Sequence, residues 1–110
     1  MNTLEKLKKN GINLNYDDVI RLCKKYNIKE LSVFGSSLRD DFKGSSDVDF
    51  LVSYYEMDIL AISLFDVVKF KNELSQLLDR DIDIVEKDAI ENPIRRKNIL
   101  STAEVIYAYQ

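Results

Sequence analysis

The sequence predicts an α/β (α+β) fold: a small mixed β-sheet of about four strands with helices packed on one face. Three observations predict it. Three segments carry apolar residues at helical spacing and a fourth opens on a cap and a proline, while four others read as strands. The two kinds interleave as α-α-β-β-α-β-α-β, with no linker, repeat or low-complexity tract between them. The second and third strands are joined through a helix, the connection that parallel neighbours need. The 110 residues suit a single domain, 1–110, and a chain of this size buries about two-thirds of its unfolded surface.

Taken in order, residues 3–9 place Leu4 and Leu7 three apart, and Asn10-Gly11 supplies a C-terminal stop, so a short helix is expected. Asn15 caps a second helix running to about Tyr26, with Asp17 and Asp18 at its positive end. Val19, Ile20, Leu22, Cys23 and Tyr26 share a face there, so Cys23 reads as a small buried hydrophobe rather than a nucleophile. Leu31 and Val33 alternate with Glu30 and Ser32 in a first strand, Ile28 to Phe34, which stops at Gly35-Ser36-Ser37. Leu38 to Ser46 is polar and reads as one helical turn followed by loop. Val48 to Tyr54 is the second strand. A long amphipathic helix is expected within residues 58–78, with Leu60, Leu64, Val67, Val68, Leu74, Leu77 and Leu78 in one stripe that is core before interface; Phe65 and Phe70 extend it, and a partner could cover part of it. Asp81 to Glu86 is the third strand, Asn92-Pro93 opens a last helix, and Glu104 to Tyr109 forms a final short strand.

Composition removes several function classes. The 45% hydrophobic and 32% charged fractions fit a folded chain. Sixteen basic against 19 acidic residues leave 16 − 19 = −3, so no global positive field draws this chain to nucleic acid, and direct nucleic-acid binding is not expected. With no histidine and only Cys23, Ser-His-Asp and Cys-His pairings, histidine metal sites and internal disulfides are excluded. Chemistry must run on carboxylates, hydroxyls, lysines and arginines with hard cations. No apolar h-region follows Lys6, Lys8 and Lys9, and the stretch from Ile59 to Phe70 is broken by Ser63, Asp66 and Lys69. No membrane association is expected, and the expected location is cytoplasmic.

Asp47-Val48-Asp49 carries the strongest chemical signal. A strand's period of two sends both carboxylates to one face and Val48 and Phe50 to the other. Adjacent like charges repel, so such a pair makes physical sense around a divalent cation. The pattern recurs at Asp81-Ile82-Asp83, and if strands two and three are neighbours, about 4.8 Å apart, carboxylates from both converge. The ordinary alternative is a solvated strand face. Gly35-Ser36 adds a turn whose backbone can approach an anion and a hydroxyl that can donate to a phosphate oxygen. Gly35-Ser36, ten residues, Asp47-x-Asp49, and then Asp83 together supply a phosphate cradle and three carboxylates, the equipment of two-metal phosphoryl or nucleotidyl transfer. Arg39 is the nearest cation for a triphosphate, or else a solvated partner of Asp40 or Asp41.

Phe34-Gly35-Ser36, Arg39, Ser46-Asp47-Val48-Asp49-Phe50-Leu51-Val52 and Asp83-Ile84-Val85 resemble the minimal nucleotidyltransferase (MNT) family of the DNA polymerase beta-like superfamily, over about residues 28–108. The family often has Arg-Gly where this chain has Arg39-Asp40, and Leu-Gly where it has Leu78-Asp79. The resemblance implies that Asp47 and Asp49 hold two Mg²⁺ ions, and that Asp83 completes the metal site and helps deprotonate the attacking hydroxyl. It also implies that Gly35 and Ser36 bind the triphosphate of ATP, with Ser37 and Arg39 beside them. Asp83 rather than Asp81 fits the family's pattern. Larger relatives carry acceptor-binding domains, so an open site and a protein acceptor are expected here. By the same resemblance the partner is a HEPN-domain toxin, bound as a hetero-oligomer and silenced by transfer of AMP to a tyrosine. The alternatives are an antitoxin that only occludes its toxin, and a nucleotidyltransferase of small molecules. Tyr54 and Tyr55 offer themselves for stacking on adenine, and Arg95-Arg96-Lys97 as a solvated face or partner contact.

Overall fold

The computed structural model describes residues 2–42, 44, 46–55 and 64–109. Its elements follow the predicted order: α1 (Thr3–Lys9), α2 (Tyr16–Lys25), β1 (Ile28–Phe34), β2 (Val48–Tyr54), α3 (Leu64–Leu78), β3 (Ile82–Glu86), α4 (Pro93–Thr102) and β4 (Glu104–Ala108). Short 3₁₀ turns follow β1, at Gly35–Leu38, and β3, at Lys87–Ala89. The part of the long helix expected at 58–63, with Leu60, and the side chain of Leu64 lie outside the described residues.

Local chemistry sets the helix ends. The side chains of Asn2, Asn15 and Asn92 each accept from backbone N–H groups in the first turns of α1, α2 and α4, and Pro93 occupies the first helical position of α4. At the other end, α1 closes with Gly11 N–H donating to Lys8 O (3.0 Å) and Ile12 N–H to Leu7 O (2.8 Å). That pairing, with Gly11 at φ +81°, is a Schellman cap, and its apolar contact is between the buried Leu7 and Ile12. The same bonds end α3, where Asp79 rather than glycine takes the left-handed conformation, at φ 52°. Among the described residues no helix is long and apolar enough to cross a membrane.

The sheet runs β3-β2-β1-β4. β2 and β3 are parallel, as expected for strands joined through α3, while β1 is antiparallel to both β2 and β4. One end of the sheet therefore gathers the end of β1 and the starts of β2, β3 and β4. α1, α2 and α3 cover one face. Val48, Phe50, Val52 and Tyr54 meet Leu31 and Val33 there, under Leu7, Leu22, Cys23, Phe70 and Leu74. Burial pushes the Cys23 thiol up to about 12, so it stays protonated and inert. Only one edge of the predicted α3 stripe is core. Phe70, Leu74 and Leu78 are buried one turn apart, while Val68 and Leu77 are exposed, so Phe70 is not available to a partner.

α4 departs from the one-face expectation. Ile99 packs with Ile90, Leu51, Phe34 and Val85 in a second small cluster. The cause is strand alternation: Phe34, Leu51 and Val85 point away from the main core and leave an apolar strip on the reverse face that needs cover.

Candidate active site at the head of the parallel strand pair

Parallel pairing sets Asp49 of β2 directly opposite Asp83 of β3, on strands about 4.8 Å apart. On the other side, antiparallel pairing sets Phe34 opposite Asp49, which brings the glycine turn alongside the carboxylate. Gly35 has φ +79°, and a Cβ built there would lie 2.9 Å from Asp49 Oδ2. Both the backbone conformation and the close approach require glycine at this position. Asp47 enters just before β2. Burial, and then the negative charges of Asp83 and Asp47, push the Asp49 carboxyl above its ordinary range. Three carboxylates thus share one field, with Asp49 half-buried and Asp47 and Asp83 open to solvent.

Asp83 rather than Asp81 stands across from Asp49; the Asp81 carbonyl instead accepts the Val48 N–H at 3.3 Å. Asp83 Oδ1 accepts its neighbour's N–H, from Ile84, at 3.0 Å. The donor set of hard carboxylate oxygens and surplus negative charge fits a hard divalent cation. Among the described residues no three His, Cys, Asp or Glu side chains are gathered closely enough to hold an ion as they stand. The backbone brings the three aspartates to one end of the sheet, and side-chain rotation must complete any convergence.

Ser36 is half-buried beside Gly35, and its carbonyl accepts the Arg39 N–H at 3.0 Å. The other two expected nucleotide contacts, Ser37 and Arg39, take different surroundings from Ser36. Ser37 is wholly enclosed, and its hydroxyl has no hydrogen-bond partner among the described residues. Arg39 forms a two-pronged pair with Asp41, at 2.9 and 2.6 Å, and lines a cleft with Lys6, Lys9 and Asn10 on the α1 side. The Asp41 carboxylate is two residues away and within easy reach, so the exposed Arg39 side chain is paired there.

Tyr54 is buried in the core at the far end of β2, five residues and so about 17 Å along the strand from Asp49. Tyr55 packs edge-on to Tyr109 at 5.1 Å. Neither tyrosine serves an adenine at the carboxylates. Arg95 and Lys97 are exposed, while Arg96 Nη1 donates to Lys87 O at 2.6 Å.

Two residues that shape the site carry no local sequence signal. Asn10 Nδ2 donates to the carbonyls of Ser37 (2.8 Å) and Arg39 (3.0 Å), the first of them 27 residues away. Arg80 reaches across 36 residues to Gly44 O at 3.1 Å and lies over the Phe42 ring, holding the loop that leads to Asp47.

Comparison with known proteins agrees with this geometry. The family described as Nucleotidyltransferase domain matches residues 19–106. A Methanocaldococcus jannaschii protein provisionally named a protein adenylyltransferase is 40% identical over 78 residues, 71% of this chain and 76% of that protein. Protein adenylyltransferase MntA of Thermococcus cleftensis is 34% identical over 86 residues, 78% of this chain and 80% of its own length. A solved structure provisionally named a minimal nucleotidyltransferase superposes with a TM-score of 0.68 at 30% identity, covering 94% of this chain and 95% of that one. The MNT antitoxin in complex with a tri-AMPylated Shewanella oneidensis HEPN toxin shares the fold at TM-score 0.59 and 14% identity, over 94% of this chain and 73% of that one. With the glycine turn, the Asp-x-Asp strand and the third aspartate in register, and with these relatives across most of its length, the chain belongs to the nucleotidyltransferase-domain family of enzymes.

Proposed function

We propose that this protein is an antitoxin that uses ATP and Mg²⁺ to transfer AMP to a hydroxyl, a tyrosine's, of a partner HEPN ribonuclease, neutralising it. The observation that carries the reading is the Asp49–Asp83 register with Gly35 pressed against Asp49, which joins a glycine turn to a pair of carboxylates. The names of its relatives support a protein as the acceptor.

In this reading Asp47, Asp49 and Asp83 hold the metal, two ions in all. When bound, magnesium supplies charge neutralisation of the triphosphate and a lowered pKa at the attacking hydroxyl. The open backbone at Gly35 and the exposed side of Ser36 receive the phosphates. The acceptor oxygen bonds to the α-phosphorus, the bond to pyrophosphate breaks, and Asp83 orients or accepts the hydroxyl proton. Asp47 and Asp83 are solvent-exposed, which leaves room for a side chain presented by another protein.

The test is to incubate the purified chain with a HEPN-domain toxin, α-labelled ATP and Mg²⁺. Label on the toxin, lost in the Asp47→Asn/Asp49→Asn double variant, is the expected result. Unlabelled toxin that the double variant still neutralises fully would establish occlusion instead. Label on a small hydroxyl compound with no protein present would point to a small-molecule acceptor.

A further inference from the structure

The first helix and its cap lie before the stretch that the nucleotidyltransferase-domain family matches, residues 19–106, yet they touch the site. α1 is anchored at two points. Near its start, Lys6 Nζ reaches both carboxylate oxygens of Glu104 at 3.0 and 3.2 Å, and Thr3 Oγ1 donates to Glu104 at 2.9 Å. At its end, Asn10 sits in a Schellman cap that Leu7 and Ile12 fix from within the core. A side chain held this firmly on the helix end can act as a fixed bracket.

The Asn10 amide has two N–H donors, and both are used: one on Ser37 O at 2.8 Å, the other on Arg39 O at 3.0 Å. Both partners are carbonyls, so the nitrogen of the side chain must be the atom that faces them. The turn they bracket is a 3₁₀ helix of four residues; its Ser37 is enclosed with a hydroxyl that has no partner among the described residues, and Gly35 imposes a left-handed φ. We infer that Asn10 is a positioning residue for the nucleotide site: its amide clamps the Gly35–Leu38 turn so that Gly35 and Ser36 stay against Asp49. The inference rests on the proposal that this turn receives the triphosphate. Aspartate in place of Asn10 keeps the shape but turns both donors into acceptors facing carbonyls, so the clamp becomes a repulsion.

The experiment measures binding of the non-hydrolysable analogue AMP-PNP with Mg²⁺ by titration calorimetry on the full chain, with thermal melts of each variant. It also follows the backbone amide resonances of Ser36 and Ser37. Asn10→Asp should weaken binding about tenfold and Asn10→Ala by several-fold, with the Ser36 and Ser37 amides displaced even without nucleotide. Lys6→Met, which removes the other anchor of α1, should lower the melting temperature and leave affinity unchanged. An Asn10→Asp chain that binds like wild type while Asp49→Asn binds poorly would overturn the clamp and leave the site reading intact. Wild-type binding by both Asn10→Asp and Asp49→Asn would overturn the site reading, and the clamp with it. An equal loss of affinity in Lys6→Met would also overturn the inference, since general loosening of α1 would then explain it. Should Asn10→Asp fail to fold, Asn10→Ala decides by the same criteria.

Discussion

The two faces of β2 share one backbone and do opposite things. Val48, Phe50, Val52 and Tyr54 point into a core closed by three helices, whereas Asp49, Leu51 and Ser53 point to a face that α4 covers only around Leu51. Apolar burial drives the first arrangement. The second carries a half-buried carboxyl that burial and two like charges work against. What holds Asp49 in place is therefore the packing behind it, transmitted through a strand that cannot slip by one residue without exchanging the two faces.

The largest effect is expected from the packed face. Phe50→Ala should cost about 3–5 kcal/mol, measured by urea unfolding. Leu51→Ala, one residue along and equally enclosed, should cost nearer 2–3 kcal/mol because its small cluster can collapse into the gap. Equal costs would mean that the reverse face is as tightly built as the front.

On the acidic face the loss should appear in chemistry instead. On the proposed function, Asp49→Asn should lower AMP transfer by about 10²–10³ while the metal-free protein melts at the same or a higher temperature, since a charge opposed by its neighbours is removed. A lower melting temperature would show that the carboxylate stabilises the fold. Gly35→Ala should affect both measurements, with a strain of about 1–2 kcal/mol for a left-handed alanine and displacement of Asp49 read as weaker nucleotide binding. Asp79→Gly, at the left-handed end of α3, should instead add about 0.5 kcal/mol and leave transfer unchanged.

The smallest effect concerns the rim where α1 meets β4. Burial pushes the Glu104 carboxyl up, but Lys6 and Thr3 outweigh it, so Glu104 sits below its ordinary range in the folded chain. Its contribution is then present above the unfolded value of about 4.3 and lost as pH falls through the lower folded value. Lys6→Met should flatten the stability curve across that acidic window by a few tenths of a kcal/mol.

The order of elements was readable because periodicity and caps are local. Asn15, Asn92 and Pro93 mark helix starts by their own chemistry, and alternation in Val48 to Tyr54 needs no knowledge of the rest of the chain. The aspartates were readable for the same reason. What was not readable depends on contacts between distant residues. Asn10 looks like a simple helix stop until its partners at Ser37 and Arg39 are seen. Arg39 could choose among phosphate, Asp40 and Asp41, and only the folded loop shows Asp41. Val68 and Leu77 obey the helical period yet fall outside the buried arc, which is set by how α3 rolls on the sheet. The placement of α4 followed from Leu51, whose apolar character reads from sequence but whose need for cover on the reverse face does not.

The pairing of Asp49 with Asp83 has a further consequence. The interval between the two strands is a gauge set by main-chain hydrogen bonds, about 4.8 Å in any sheet, and no side chain chooses it. Residues behind the sheet can be exchanged for others of similar volume, and stability will rise or fall, but the gauge between the two strands that carry the aspartates stays the same. A chain built this way can drift widely in its core while the backbone spacing of its paired aspartates is copied unchanged.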